Sequence, residues 1–190
     1  MRKPFNDQPV ETLVEQLLAK NGTVLDLRVK YIGDEGVRYL VKEEKLFDLM
    51  ELNLERNEVT DDGVKALAES RVITRLKHLS LERNAVGDAG ARSIARSPNF
   101  SHLDRLNLWK NRVGPEGAQE LANSINLVNL KRLDLAQNQI GDEGAKALAE
   151  SASLTGLTYL DLFGNGITEE GIKLLKESEN LKNLQHLIVE

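Results

Sequence analysis

The stretch Leu130-Lys-Arg-Leu133-Asp-Leu135-Ala-Gln-Asn138-Gln-Ile140-Gly-Asp-Glu-Gly144 decides the fold. It reads L-x-x-L-x-L-x-x-N-x-I-x-x-x-G, and the pattern returns along the chain without insertion or deletion. Its central leucine recurs at Leu25, Leu52, Leu79, Leu106, Leu133, Leu160 and Leu187. Its glycine recurs at Gly36, Gly63, Gly90, Gly117, Gly144 and Gly171, and its asparagine at Asn57, Asn84, Asn111, Asn138 and Asn165. Each step is 27 residues (52 − 25 = 27). Three columns in phase over a whole chain mark a repeat architecture, in which one unit buries its apolar faces only against its neighbours.

Within a unit the residue types dictate local structure. Leucine and polar residues alternate in Leu106-Asn107-Leu108, so the spacing predicts a strand with one buried and one solvated face. The turn that follows carries the asparagine column, whose amides can satisfy backbone groups and would align into a ladder on stacking. The chain then enters a helix. Gly33, Thr60, Gly87, Gly114, Gly141 and Thr168 form a column acceptable at an N-cap. Acidic residues follow at once, as in Asp34-Glu35, Asp61-Asp62, Asp142-Glu143 and Glu169-Glu170, where a helix dipole favours them. Pro115, directly after Gly114, stands where a first-turn proline is tolerated. The glycine column is expected to let the helix backbone approach its neighbour. Val37, Leu40 and Val41, then Val64, Leu67 and Ala68, give each helix a buried face. Leu46, Ile73, Phe100, Leu127, Leu154 and Leu181 plug the return to the next strand.

These columns make the chain resemble the leucine-rich repeat family, and the long helix-bearing unit resembles its ribonuclease-inhibitor-like subclass. The resemblance covers nearly the whole sequence. It implies an α/β fold, a leucine-rich repeat solenoid (horseshoe) with a concave parallel β-sheet and convex α-helices, and it implies protein binding as the usual role. On this register residues 1–190 form a single domain. Residues 1–21 are an N-terminal capping helix, 22–183 six repeats of 27 residues, and 184–190 the start of a seventh. Subtracting 27 from Val37, Leu40 and Val41 gives Val10, Leu13 and Val14, so Pro9 to Lys20 reads as a half-repeat helix. Asp7, Glu11, Glu15 and Lys20 face water there, and Asn21-Gly22 ends it. Lys30 replaces the ladder asparagine in the first repeat, an irregularity expected near an end. Leu184 to Glu190 read as a strand with no helix after it. Its edge either pairs with a second copy, giving a homodimer, or takes a partner's strand, or stays exposed.

Composition narrows the function. Apolar residues make up 41% of the chain and aromatics 4%, which suits a regular aliphatic core. The net charge of −5 argues against a general nucleic-acid binder. There is no cysteine, which excludes disulfides, thiolate metal sites and cysteine nucleophiles and favours a reducing, cytoplasmic setting. No signal-like apolar run opens the sequence, and no stretch is long and apolar enough for a membrane span. No zinc spacing, Ser-His-Asp order, phosphate loop or dinucleotide fingerprint appears. No cofactor and no metal are therefore expected.

The register assigns the side chains of the solvated strand face. The first outward column is Val24, Glu51, His78, Arg105, Arg132, Tyr159 and His186, and the second is Asp26, Asn53, Ser80, Asn107, Asp134, Asp161 and Ile188. The third is Arg28, Glu55, Glu82, Trp109, Ala136, Phe163 and Glu190; a fourth, past the strand, holds Val29, Arg56, Arg83, Lys110, Gln137 and Gly164. Trp109, Phe163, Tyr159, Arg105 and Arg132, flanked by Asp134, Asp161, His78, Glu82 and Lys110, have the composition of a binding hot spot. Trp109 is expected to be solvated, with Ala136 leaving a hollow between it and Phe163. The other reading is that the two rings only cover each other. Asp134 and Asp161 are read as structural; a shared metal or catalytic pair is the alternative.

The expected function is a non-catalytic module that binds a protein or peptide on the concave face. Two other readings stand beside it. One is regulation of a GTPase, because Ran GTPase-activating proteins are similar to this subclass of repeat in their scaffold. The other is self-assembly through the C-terminal edge.

Overall fold

A computed structural model of the chain describes residues 8–190. The elements alternate in chain order. Helix α1 (Val10–Leu17) leads to β1 (Val24–Asp26), α2 (Gly33–Leu40), β2 (Glu51–Asn53), α3 (Asp61–Ala68), β3 (His78–Ser80) and α4 (Asp88–Arg96). The chain continues with β4 (Arg105–Asn107), α5 (Pro115–Ala122), β5 (Arg132–Asp134), α6 (Gly141–Ala149), β6 (Tyr159–Asp161), α7 (Glu169–Lys176) and β7 (His186–Ile188). All seven strands of the described residues join one parallel sheet in sequence order. The pairing register is the repeat itself: Leu25 pairs with Leu52, Leu52 with Leu79, and so on to Leu187.

In β1 to β6 the leucines on either side of the second-column residue are buried, as Leu106 and Leu108 flank the half-buried Asn107. They meet the buried face of the helices in one continuous aliphatic core, with Phe100 its largest fully buried side chain. Each such leucine contributes roughly 1.5–3 kcal/mol through burial. Backbone pairing outlasts the three-residue strands, through bonds such as Leu81 N–H to Asn107 O and Arg83 N–H to Trp109 O. The fourth column then turns the chain away: Val29, Arg56, Arg83, Lys110 and Gln137 adopt positive φ, and Gly164 does the same without a Cβ penalty.

Three polar columns tie the layers together. Asn111 donates to Leu81 O of the preceding repeat and to Leu108 O of its own, while its Oδ1 accepts from Val86 N–H. Asn57, Asn84, Asn138 and Asn165 repeat this arrangement, so the buried ladder is satisfied. A serine column closes the other end of the helices. Ser97, Ser124, Ser151 and Ser178 each donate to the last-turn carbonyl of the preceding helix and accept from the next turn's N–H groups. The third column is aspartate. Asp88 Oδ1 accepts from Gly114 N–H at 2.7 Å and Gly117 N–H at 2.9 Å, so it caps the helix of the following repeat. Asp34, Asp61 and Asp142 do likewise for α3, α4 and α7.

Three sequence expectations change in detail. Helix α1 stops at Leu17, short of Lys20, because the chain turns at Gly22 (φ 71°) and Ala19 N–H bonds Val24 O. Asp7 lies outside the described residues. Gly33 and Gly141 do not act as extended N-caps; they open α2 and α6 in left-handed backbone, with φ of 59° at each. For Gly141 the cause is visible. Pro115 occupies the aspartate position of the preceding repeat, so no carboxylate holds the Gly141 N–H, which bonds Asn165 O instead.

Candidate functional site

The alternation of each strand fixes which side chains leave the concave face, and the parallel register sets them side by side. Arg105 pairs with Arg132, and Arg132 with Tyr159, across successive strands. Here the sheet carries an open groove of about 400 Å³ running from Val24 on β1 to Tyr159 on β6. His78, Arg105, Arg132, Asp134 and Tyr159 line it, together with Asp26, Arg28, Glu51 and Asn107. Trp109, Phe163, Asp161, Glu82 and Lys110 lie outside this lining, so the structure divides the residues read from sequence into a groove set and a rim set.

The rim aromatics are not equivalent. Trp109 is half-buried rather than solvated, because the Arg83 guanidinium lies 4.6 Å from its ring centroid. Arg83 belongs to the fourth column, yet its side chain lies over the third. Phe163 is 46% exposed, and no ring contact joins it to Trp109 among the described residues. Ala136 between them is buried. In the groove, the Arg132 guanidinium stacks on Tyr159 at 3.9 Å, and Tyr159 Oη donates to Asp161 Oδ2 at 3.1 Å. His186 approaches the same ring from the next strand at 6.3 Å. Burial, then the Asp161 charge, pushes the Tyr159 phenol up from its ordinary value.

The second column has a backbone task. Asp26, Asn53, Asn107, Asp134 and Asp161 each accept, through Oδ1, the N–H two residues on, which fixes the strand's exit. Asp134 pays for this position: burial, and then Asp161, pushes its carboxyl above the usual carboxylate range against the Ala136 N–H that lowers it. Burial and the neighbouring Glu55 do the same to Glu82. Among the described residues no group of three or more His, Cys, Asp or Glu is placed to hold a metal ion. No helix there is long and apolar enough to cross a membrane.

Asp104 and the Asp26–Arg28 pair were missed by sequence reasoning. His78 Nε2 stands 3.0 Å from Asp104 Oδ1, and His78 Nδ1 3.3 Å from Glu51 Oε1, so the imidazole lies between two carboxylates. Asp104 precedes its strand and belongs to no outward column. It is the one acid in the column Thr23, Met50, Lys77, Asp104, Lys131, Thr158, Gln185, and that was the available signal.

With this geometry in view, comparison with known proteins gives a consistent result. A family model described as Leucine Rich repeat matches residues 45–68, 74–95, 101–122, 126–149 and 154–176. No curated protein matches the chain. Among solved structures, an internalin C2 from Listeria monocytogenes superposes with a TM-score of 0.64 at 25% identity, covering 88% of this chain and 61% of that one. An internalin from the same organism, inlF, gives 0.55 at 23% identity over 76% of this chain and 36% of its own. A plant peptide hormone receptor, RGFR1, in complex with RGF2 gives 0.52 at 21% identity over 88% and 24%. The chain thus spans between about a quarter and three fifths of the length of these proteins.

Proposed function

The chain belongs to the leucine-rich repeat family, and from that premise we propose that it is a non-catalytic interaction module holding a protein or peptide against its concave face. The observation that carries this reading is the groove whose floor is sheet and whose side holds a guanidinium stacked on an aromatic ring, Arg132 on Tyr159. Arginine and aromatic side chains supply most of the energy at protein interfaces, and a preorganised pair loses little entropy when a partner arrives. The plant receptor of similar fold was solved with RGF2 bound, which supports this scaffold as one that holds a partner. The unbroken 27-residue step with a helix in each unit supports assignment to the ribonuclease-inhibitor-like subclass.

The test is affinity capture from lysate of the source cell, with wild type beside Trp109→Ala and Tyr159→Ala. A protein retained by wild type should be weakened about thirtyfold by loss of one such anchor, the equivalent of ~2 kcal/mol. Equal retention by all three proteins would remove the concave face from consideration.

A further inference from the structure

The charge pattern of the groove says more about the partner, granted the reading that something binds there. Arg105 and Arg132 are register partners on β4 and β5, so two like charges stand side by side on the sheet face. That arrangement is unfavourable unless something answers it. Little in the chain does. Arg105 Nε lies 3.7 Å from Asp104 Oδ1, an oxygen already 3.0 Å from His78 Nε2. Arg132 makes no ion pair among the described residues; its guanidinium is spent on the Tyr159 ring. Asp134, two residues along the same strand, directs Oδ1 to the Ala136 N–H. The stack also holds the Arg132 guanidinium in place, since Tyr159 is itself anchored to Asp161.

We propose that Arg105 and Arg132 form a seat for the carboxylate of an aspartate or glutamate side chain on an extended peptide segment of a partner. Two adjacent guanidiniums offer forked N–H donors that match a carboxylate's two oxygens. Position selects a side chain rather than a chain terminus. The groove lining runs on past the arginine pair to β1 on one side and β6 on the other, so a segment lying across it continues in both directions. Six strands at the usual spacing span roughly 24 Å, room for about seven extended residues. The groove is not a polyanion site: its lining holds three carboxylates, Asp26, Glu51 and Asp134, beside the arginines Arg28, Arg105 and Arg132, and the chain carries net charge −5. A phosphate backbone needs an excess of positive charge that this face does not have.

A phage-displayed library of random linear dodecapeptides, panned on the full chain, tests this. Ser80→Trp, which places a ring on the groove floor, identifies the peptides that bind there. Those peptides should share one acidic residue. Changing that residue to its amide should weaken binding to wild type about tenfold or more. The same change should have no effect on an Arg105→Gln, Arg132→Gln variant, whose exposed positions leave the core intact. Peptides that are lost on Ser80→Trp yet indifferent to the amide change would overturn the carboxylate seat and leave concave binding standing. Synthetic copies of the selected peptides that bind more tightly with phosphoserine in place of the acidic residue, and no more tightly with aspartate or glutamate than with the amide, would overturn it as well. If no selected peptide responds to Ser80→Trp, this inference and the concave-face reading fall together.

Discussion

Asp134 shows how one side chain on the concave face serves the backbone at an electrostatic cost. Its Oδ1 accepts the Ala136 N–H at 3.0 Å, the same bond that the neutral Asn53 and Asn107 make in earlier repeats. The bond needs an oxygen, not a charge. Burial and the Asp161 charge raise the carboxyl above its ordinary value, so folding favours its protonated form. For a raised group the favourable contribution is present below the unfolded value and is lost as pH rises through the folded one. At neutral pH the ionised Asp134 therefore opposes folding. Asp134→Asn keeps the acceptor and removes the charge. We expect it to stabilise the protein at neutral pH by about 0.5 kcal/mol, a figure kept small because solvent still screens the half-buried group. The gain should fade as pH falls below about 3, where Asp134 is protonated in both states. Urea unfolding of both proteins at the two pH values measures this. A gain of equal size at both, or a loss at neutral pH, would show that the charge is not what matters.

At the scale of the element, each helix depends on the repeat before it. The helices of the repeats have eight or nine residues, too short to persist alone, and in α3, α4, α5 and α7 the preceding aspartate satisfies two of the free N–H groups at their start. Asp88→Ala should cost about 1–2 kcal/mol, as loss of a helix cap does. Hydrogen exchange should quicken first at Gly114 and Gly117, in the next repeat, and not at the mutated one; Asp88→Asn, which keeps an oxygen, should lose much less. Faster exchange confined to α4 would contradict the assignment. This device also marks where sequence reading stopped. Strands, helices, asparagine ladder and glycine column were legible because one 27-residue period sets both the columns and the pairing register. The glycines' close approach was legible too: a Cβ on Gly117 would lie 2.5 Å from Asp88 Oδ1 and 2.9 Å from Val113 Cγ1. The acids after each N-cap were read as local partners of the helix dipole, yet their bonds reach 26 and 29 residues along the chain. The serine column, equally periodic, went unread because serine has no single local role. At the site, the columns gave the neighbours of Arg132 correctly but placed Trp109 in solvent. Nothing in the identity of Arg83 announces that its guanidinium lies over that ring.

For the whole molecule, the consequence of stacking is that stability passes from neighbour to neighbour and has no other route. Among the described residues every strand pairs only with the repeats beside it, and the side chain of each ladder asparagine bonds only its own and the preceding repeat. Such a chain behaves as a one-dimensional array, held together by its interfaces. Asn111 sits near the middle. Truncating it removes the acceptor of Val86 N–H and one of the two donors to each of Leu81 O and Leu108 O, which Asn84 and Asn138 also reach, all in the interior. Leaving a buried backbone N–H unpaired costs about 1–3 kcal/mol, so Asn111→Ala should cost about 2–3 kcal/mol in total with the two weakened carbonyl bonds included. A loss that large at one interface is expected to uncouple the two halves. Wild type should unfold in a single transition, whereas Asn111→Ala should unfold in two. Trp109, the chain's one tryptophan, lies beside the defect and reports on it by fluorescence, while circular dichroism reports on all the helices. The two signals should coincide in wild type and separate in the variant. Asn165→Ala, near the other end of the ladder, serves as the contrast. It breaks the equivalent bonds to Leu135 O and Leu162 O, but it should only loosen the last repeats and leave the Trp109 transition in place. If both variants instead lowered one shared transition without splitting it, the stack would have to be coupled beyond nearest neighbours, and the concave face would respond to a partner as one rigid body rather than repeat by repeat.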